Sequence, residues 1–279
     1  MSHLDQPSVD GFNTFCVSKC ARDRGATVVL SGLGGDELFG GYRSFTTVPR
    51  LAKYGRWISL TGPVRKVAGR WVQRHFSSPR HRRLGTFVSR QPSVGAAYWT
   101  MRGIFTPLEA ARLLNTYFQD EVGFPDESIM HFRVPAQPTP EDKVSYLEIS
   151  HYMRNQLLRD SDVMSMAWGL ELRVPFVDSR LIDVLVKIPA SIRLRSGKGL
   201  LRDAVPEIPE WVANRRKQGF VFPFKDWIGD EWNDVFKRLD DSTPVPLQTW
   251  YRGWCLFALE NFIDQNRIDA PTLACPDGI

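Results

Sequence analysis

The stretch Val28-Val29-Leu30-Ser31-Gly32-Leu33-Gly34-Gly35-Asp36-Glu37-Leu38-Phe39-Gly40-Gly41-Tyr42 constrains this chain more than any other. Its β-branched, apolar opening predicts a short buried strand. A serine follows, then three glycines within four residues, then an Asp-Glu pair. Glycine lets the backbone bend tightly and approach a ligand closely. A strand that runs through such a turn into a helix start presents backbone N–H groups and the positive end of a helix dipole, a cradle for phosphate. The carboxylate of Asp36 could then hold a magnesium ion against that phosphate. A plain tight turn is the alternative reading, because a glycine-rich turn by itself has many uses.

The rest of the chain sets limits on that reading. Its 279 residues are 43% hydrophobic and 24% charged, enough for one large or two modest soluble cores. No apolar run approaches the ~18 residues of a membrane span. The opening Met1-Ser2-His3-Leu4-Asp5-Gln6-Pro7 has no charged-then-apolar leader pattern, so a cytoplasmic location is expected. Four cysteines, Cys16, Cys20, Cys255 and Cys275, fit that compartment. Cys16 and Cys20 share one face of a predicted helix, and buried apolar roles are expected for them, because no second Cys/His pair stands at ligand spacing. Net charge is +5 but unevenly placed: Leu38 to Leu108 holds thirteen Lys or Arg and no Asp or Glu. So one-sided a segment can attract polyanions or a membrane surface. It could equally wall a phosphate site or meet an acidic partner. Nucleic acid is not the expected partner, since no nucleic-acid-binding motif is present.

Residues 5–25 read as a turn and a helix, with Phe12, Phe15, Cys16 and Cys20 at helical spacing and Gly25 as the stop. Helix, strand and glycine loop form the second half of a βαβ unit. A single parallel strand cannot satisfy its backbone alone, so the chain is expected to begin inside a larger domain. From 45 to 115 the pattern gives four or five short helices broken by Pro49, Gly62-Pro63, Pro79, Pro92 and Pro107. In it Arg56, Arg65, Lys66, Arg70 and Arg74 fall on polar faces, and Trp57, Val64, Val67 and Trp71 on apolar ones. Residues 119–138 read as an irregular connection. Thr139-Pro140-Glu141-Asp142 is a strong helix start, predicting a helix over about 140–158. Residues 158–178 mix apolar and charged residues without an amphipathic split, a pattern that often means buried ion pairs. Asp178 caps a helix over 179–187 and another short one spans 198–205. Arg215-Arg216-Lys217-Gln218-Gly219-Phe220 then forms a basic loop that either covers phosphates or lies in solvent. A last amphipathic helix covers 246–263.

Three separated stretches agree on one family. Leu30 to Tyr42 resembles the second nucleotide-site motif of glutamine-hydrolysing asparagine synthetases. Asp162-Val163-Met164-Ser165-Met166-Ala167, continuing through Arg173-Val174-Pro175-Phe176-Val177-Asp178, resembles another hallmark of that family, and Arg215 to Phe220 its late basic loop. The resemblance implies an α/β ATP-pyrophosphatase-like fold, here a predominantly α-helical fragment with one or two residual parallel strands. Residues 1–42 would form the edge of the nucleotide-binding unit and 43–279 the helical remainder. It also implies chemistry: ATP activates a carboxylate, aspartate by resemblance, as an acyl-adenylate, and ammonia from glutamine displaces AMP. By position, Ser31, Gly32, Gly34 and Gly35 would contact ATP. Asp36 would share magnesium with a residue outside the chain, and Lys217 would neutralise pyrophosphate. A metal and a lysine suit a reaction that spreads negative charge over phosphates.

Two departures qualify the resemblance. The family's first nucleotide motif, Ser-Gly-Gly-x-Asp-Ser, is absent, and Ser2 stands where the glutaminase nucleophile would be. The chain is therefore expected to be the C-terminal part of a longer or split enzyme, inactive alone, with the glutaminase and first motif supplied in cis or by another polypeptide; a homodimer is also compatible. The second departure is Leu33, where better-known asparagine synthetases carry glutamate and a β-lactam-forming relative carries tyrosine. Leucine has no proton acceptor at this substrate-side position. A lactam-forming or peptide-cyclising synthetase is thus one alternative, and a non-catalytic remnant binding an anion or partner through its basic segment is another.

Overall fold

The computed structural model describes residues 3–118, 134–215, 222–266 and 268. Helix α1 (Gly11–Asp23) leads into strand β1 (Val28–Leu30) and the short helix α2 (Gly35–Phe39). Five helices follow: α3 (Ser44–Ser59), α4 (Pro63–His75), α5 (Pro79–Ser89), α6 (Val94–Arg102) and α7 (Pro107–Tyr117). Pro63, Pro79 and Pro107 start their helices, where a missing N–H costs nothing. Pro49 does not break the pattern as expected but lies inside α3. The burial of Phe45, Val48 and Ala52 around it holds that helix together despite the lost backbone bond.

The helix expected over 140–158 extends further. It begins with α8 (Pro140–Leu147), widens to i→i+5 hydrogen bonding over Glu148–Leu157, and continues as α9 (Leu158–Met166). Its charged residues lack an amphipathic split because neighbours surround it. Glu148 is wholly buried and Asp160 nearly so. Wide turns of this kind often sit at functional positions. The chain then forms β2 (Glu171–Arg173), a single 3₁₀ turn over Pro175–Val177, and helices α10 (Ser179–Leu185), α11 (Ala190–Arg193), α12 (Gly199–Ala204) and α13 (Glu210–Ala213). After residues outside the described set come α14 (Phe224–Gly229), α15 (Asn233–Ser242) and α16 (Trp250–Gln265). Asp178 caps α10 as expected, accepting the Arg180 N–H at 2.8 Å.

β1 and β2 pair in parallel, with Val28 opposite Glu171 and Leu30 opposite Arg173. Among the described residues this two-stranded sheet is the whole β structure. β1 is consequently not buried: Leu30 is 75% exposed, because nothing described covers the far edge of the sheet or the face that Val28 and Leu30 occupy. The chain is thus mostly helical with one small parallel sheet. One apolar core joins α3, α5, α6 and α8 through Phe45, Val48, Phe87, Tyr98, Val144 and Leu147. An aromatic core of Phe224, Phe236 and Trp254 holds α14–α16 against Phe12 of α1. A third, built on Leu38, Phe39 and Leu185, fixes α2 against α10. Of the paired cysteines, Cys16 is half-buried while Cys20 is exposed, contrary to expectation, because α1 turns that position outward.

Asp160 is a polar exception inside the packing of α9. Its carboxylate accepts a hydrogen bond from Ser8, and burial pushes its pKa up to about 6. The folded state therefore favours the protonated acid. That contribution to stability is fully present below pH 3.8, the unfolded value, and is lost as pH rises through about 6. Asp160→Asn should keep the shape, raise stability at pH 7 by about 2–3 kcal/mol, and flatten stability between pH 4 and 6. Urea midpoints across that range check it; an unchanged slope would contradict the burial argument.

Candidate active site

The parallel pairing carries both strands out of the sheet at the same end, where open α/β sheets bind ligands. The Ser31 N–H extends the ladder by donating to the Arg173 carbonyl at 2.8 Å. The chain then turns through Gly32 and Leu33, with the Leu33 N–H donating to Ser31 Oγ at 3.3 Å. Gly34 has φ 91°, a left-handed conformation that a side chain strains, and a Cβ there would lie 3.1 Å from that of Phe176. Gly34 and Gly35 are buried against Phe176, so their missing side chains are used in packing the two loops together. Gly32 differs: it is exposed, and a Cβ built on it would meet nothing within 4 Å. It is the glycine of the loop with room for a ligand at its backbone. Leu33 is half-buried, placing an apolar side chain in the loop's middle.

α2 is held on three sides. Glu37 is buried and accepts the Tyr42 hydroxyl at 2.7 Å. Burial, above all, raises the pKa of Glu37, and burial with the Glu37 charge raises that of Tyr42. Ser145 Oγ donates to the Glu37 carbonyl at 3.2 Å, and Arg193 donates to the Leu38 carbonyl and to Ser145 Oγ, both at 3.0 Å. Arg193 also pairs with Asp142 at 2.8 Å. The loop after β1 thus rests on a fixed platform.

Asp36 lies at the head of that platform, and its Oδ1 pairs with Lys198 Nζ at 2.7 Å. Lys198 adopts φ 57°, ψ 43°, and is the one residue other than glycine with positive φ among the described residues. Such a conformation costs roughly 1–2 kcal/mol. The sequence reading did not single out Lys198; its signal was a lysine set between Gly197 and Gly199. Asp36 and Lys198 open onto a cleft of about 1620 Å³ beside α8, α10 and α12. Arg43, Lys187, Arg193, Lys198, Arg202 and Arg215 line it against Asp36, Glu141 and Asp142, a surplus of positive charge suited to a polyanionic ligand. Gly41 closes over the carboxylate: a Cβ there would fall 1.8 Å from Asp36 Oδ1. Gly41→Ala should therefore cost about 1–3 kcal/mol, and Asp36→Ala in the same chain should recover most of it. Urea unfolding of the two single variants and the double variant tests this; equal, additive losses would show that the methyl group meets something else.

The structure brings Ser31, Gly32, Leu33, Gly34, Gly35 and Asp36 together. Lys217 lies outside the described residues, as does the basic loop from Arg216 onward. For magnesium the donor set is thin. No group of three or more His, Cys, Asp or Glu gathers among the described residues, and the carboxylate available, Asp36, is engaged by Lys198. These residues alone do not make a metal site.

The asparagine synthase family model covers residues 1–270, and the chain belongs to that family. Glutamine-hydrolysing asparagine synthetase 1 of Bacillus subtilis is 30% identical over 252 residues, which is 85% of this chain and 37% of the relative. Asparagine synthetase 3 of the same organism is 38% identical over 78 residues, 27% of this chain and 12% of the relative. A protein of Gibberella zeae named amidase chry2 is 24% identical over 82% of this chain and 37% of its own length. The chain thus spans little more than a third of the first of these relatives. No solved structure gives a significant match.

Proposed function

We propose that this chain forms the C-terminal portion of the synthetase unit of an ATP-dependent amide-forming ligase. Family membership supports a synthetase of this kind. The observation that carries the site assignment is the exposed Gly32 turn, set at the sheet's open end and backed by the rigid α2 platform. In this reading a carboxylate oxygen attacks the α-phosphorus of ATP and pyrophosphate leaves. Ammonia, drawn from glutamine in relatives so named, then attacks the acyl carbon and AMP leaves. Ser31 and Gly32 offer polar groups to the phosphates, Gly34 and Gly35 shape the turn, and Lys217 meets the departing pyrophosphate. Asp36 holds Lys198 toward the cleft. The other wall of the nucleotide site, a Ser-Gly-Gly-x-Asp-Ser motif, comes from sequence not present here.

The test is pyrophosphate exchange into ATP. The purified 279-residue chain should show none with aspartate. Supplying the polypeptide that bears the first motif should give AMP and an amide, and Asp36→Ala should lower that rate about 100-fold. Robust exchange by the chain alone would overturn the shared-site reading, and release of ADP in place of AMP would overturn the chemistry.

Leu33 favours a second reading of the substrate. An apolar side chain at that position cannot accept a proton from an attacking amine. The same scaffold would then join a carboxylate and an amine other than aspartate and ammonia, as in lactam formation or peptide cyclisation. Efficient asparagine synthesis by the complete system would remove it.

A further inference from the structure

Unlike α3, α5 and α6, which supply the apolar core, α4 does not place its apolar stripe there. α4 and α5 cross so closely that a Cβ on Gly69 would lie 2.5 Å from the Gly85 carbonyl oxygen. α4 therefore packs through a narrow face of Arg65, Gly69, Val72 and Gln73, and Arg65 reaches across to the Val88 carbonyl at 3.3 Å. Val64, Val67 and Trp71 recur at helical spacing on another side of α4 and point into solvent. Together with Tyr54, Trp57 and Leu60 at the end of α3 and beyond it, they are each 53–79% exposed. Lys66, Arg70 and Arg74, four apart, run as a basic strip between that apolar stripe and the packed face. Arg50, Lys53 and Arg56 are exposed on α3. No acidic residue occurs from Leu38 to Leu108.

We infer that α4 and the end of α3 form a peripheral docking surface for an anionic lipid membrane, lying in the headgroup region with the apolar stripe facing the acyl chains. An aliphatic and indole stripe flanked by Lys and Arg is the pattern of helices that lie in a lipid interface. Tryptophan favours that zone because its ring is apolar and its N–H polar. The positive strip supplies the complement to acidic headgroups, each residue contributing about a fivefold gain near the surface. Nucleic acid fits less well, since the centre of the surface is valine and leucine whereas polar, charged contacts dominate such interfaces. A second copy fits less well too, because a two-fold contact would bring two acid-free basic strips together. No helix among the described residues is long and apolar enough to cross a membrane, so the attachment is to the surface only.

The experiment is sedimentation of the whole chain with phosphatidylcholine vesicles, with and without phosphatidylglycerol. Binding should require the anionic lipid and weaken as salt rises. Lys66→Glu with Arg70→Glu and Arg74→Glu should lower it at least about 100-fold. Leu60→Ser with Val64→Ser and Val67→Ser should also abolish it, with an unchanged urea midpoint because all three are exposed. Should that variant unfold, Tyr54→Ser with Trp57→Ser on α3 provides the same test. Wild-type binding by the folded apolar variant would overturn the inference, as would no binding to either vesicle. Tighter binding to an oligonucleotide than to anionic vesicles, or a dimer that the serine variant dissociates, would assign the surface to those partners instead.

Discussion

Glu148→Ala is expected to cost about 3–5 kcal/mol of stability, because it strands the buried Ser44 and Tyr98 hydroxyls and unpairs the largely buried Arg102. Glu148 is fully buried in the wide turn of the long helix. Its carboxylate accepts from the Ser44 hydroxyl, from the Tyr98 hydroxyl at 3.1 Å, and from Arg102 Nε and Nη2 at 3.3 and 2.7 Å. Arg102 is itself sandwiched, its guanidinium 4.5 Å from the Tyr42 ring centre and 3.9 Å from that of Tyr152. Burial opposes the Arg102 charge, but Glu148 outweighs it and holds the pKa above the ordinary value. Without the carboxylate the cation between the two rings loses its paired counter-charge, and Tyr98 falls back on the Leu147 carbonyl at 3.3 Å. Glu148→Gln keeps the shape and should cost less, about 1–3 kcal/mol. Urea midpoints measure both. A loss under about 1 kcal/mol for the alanine variant would mean that water or another acceptor replaces the carboxylate.

The same network reaches the candidate site, which makes its loss more than a matter of stability. Tyr42 stacks on Arg102 and donates to Glu37 of α2, while Tyr152 donates to Asp10 at 3.1 Å. The helix that carries Asp36 is thus tied to the helix that carries Glu148 through side chains distant in sequence.

Arg252→Ala is the second large effect, again about 3–5 kcal/mol. Arg252 is fully buried in α16, and its Nη2 pairs with Glu109 Oε2 at 2.7 Å while Nη1 donates to the Pro246 carbonyl at 2.7 Å. Its guanidinium also lies 4.4 Å from the Phe105 ring centre. Glu109 serves three partners: Arg252, Arg82 at 2.7 Å, and the Thr106 N–H at 2.8 Å in the capping box of α7. Burial pulls the Glu109 pKa up, but these partners outweigh it and hold it below 4.5. Its stabilisation is therefore present above pH 4.5 and lost as the pH falls through the depressed folded value. Removing Arg252 leaves the buried carboxylate with the Thr106 N–H and, as its paired cation, the half-exposed Arg82. Arg252→Met with Glu109→Gln should be less destabilised than Arg252→Ala alone, since neither buried charge then remains unpaired. Additive losses in that cycle would rule out direct coupling.

Much of the helical pattern was legible because its signals are local. Pro63, Pro79 and Pro107, the Thr139 cap and the Asp178 cap act within one turn, and the structure places helix starts at all of them. Pro49 misled because the packing of Phe45 and Val48 outweighs one lost hydrogen bond. The end of the 140–166 helix was not legible either. The mixed apolar and charged run from 158 shows no amphipathic split, and the hydrogen bond that lets Asp160 be buried comes from Ser8, 152 residues away in sequence. At the site, the glycine loop and Asp36 stood out by composition, but Lys198 did not. Its role depends on a contact between residues 162 positions apart and on a backbone conformation that sequence does not print.

The sequence by itself determined the family, the glycine turn that ends β1, and the acid-free basic segment. Each rests on residue types at short, fixed spacing, where local chemistry decides the outcome. Only the tertiary structure decided which apolar residues are core and which face water. Val64, Val67 and Trp71 have the periodicity of a buried stripe, yet the glycine crossing of α4 and α5 turns them outward. It also decided that Gly34 and Gly35 pack against Phe176 while Gly32 stands open. The physical reason is common to both. A side chain's burial depends on which surfaces meet across the fold, and periodicity within one element cannot specify its partner.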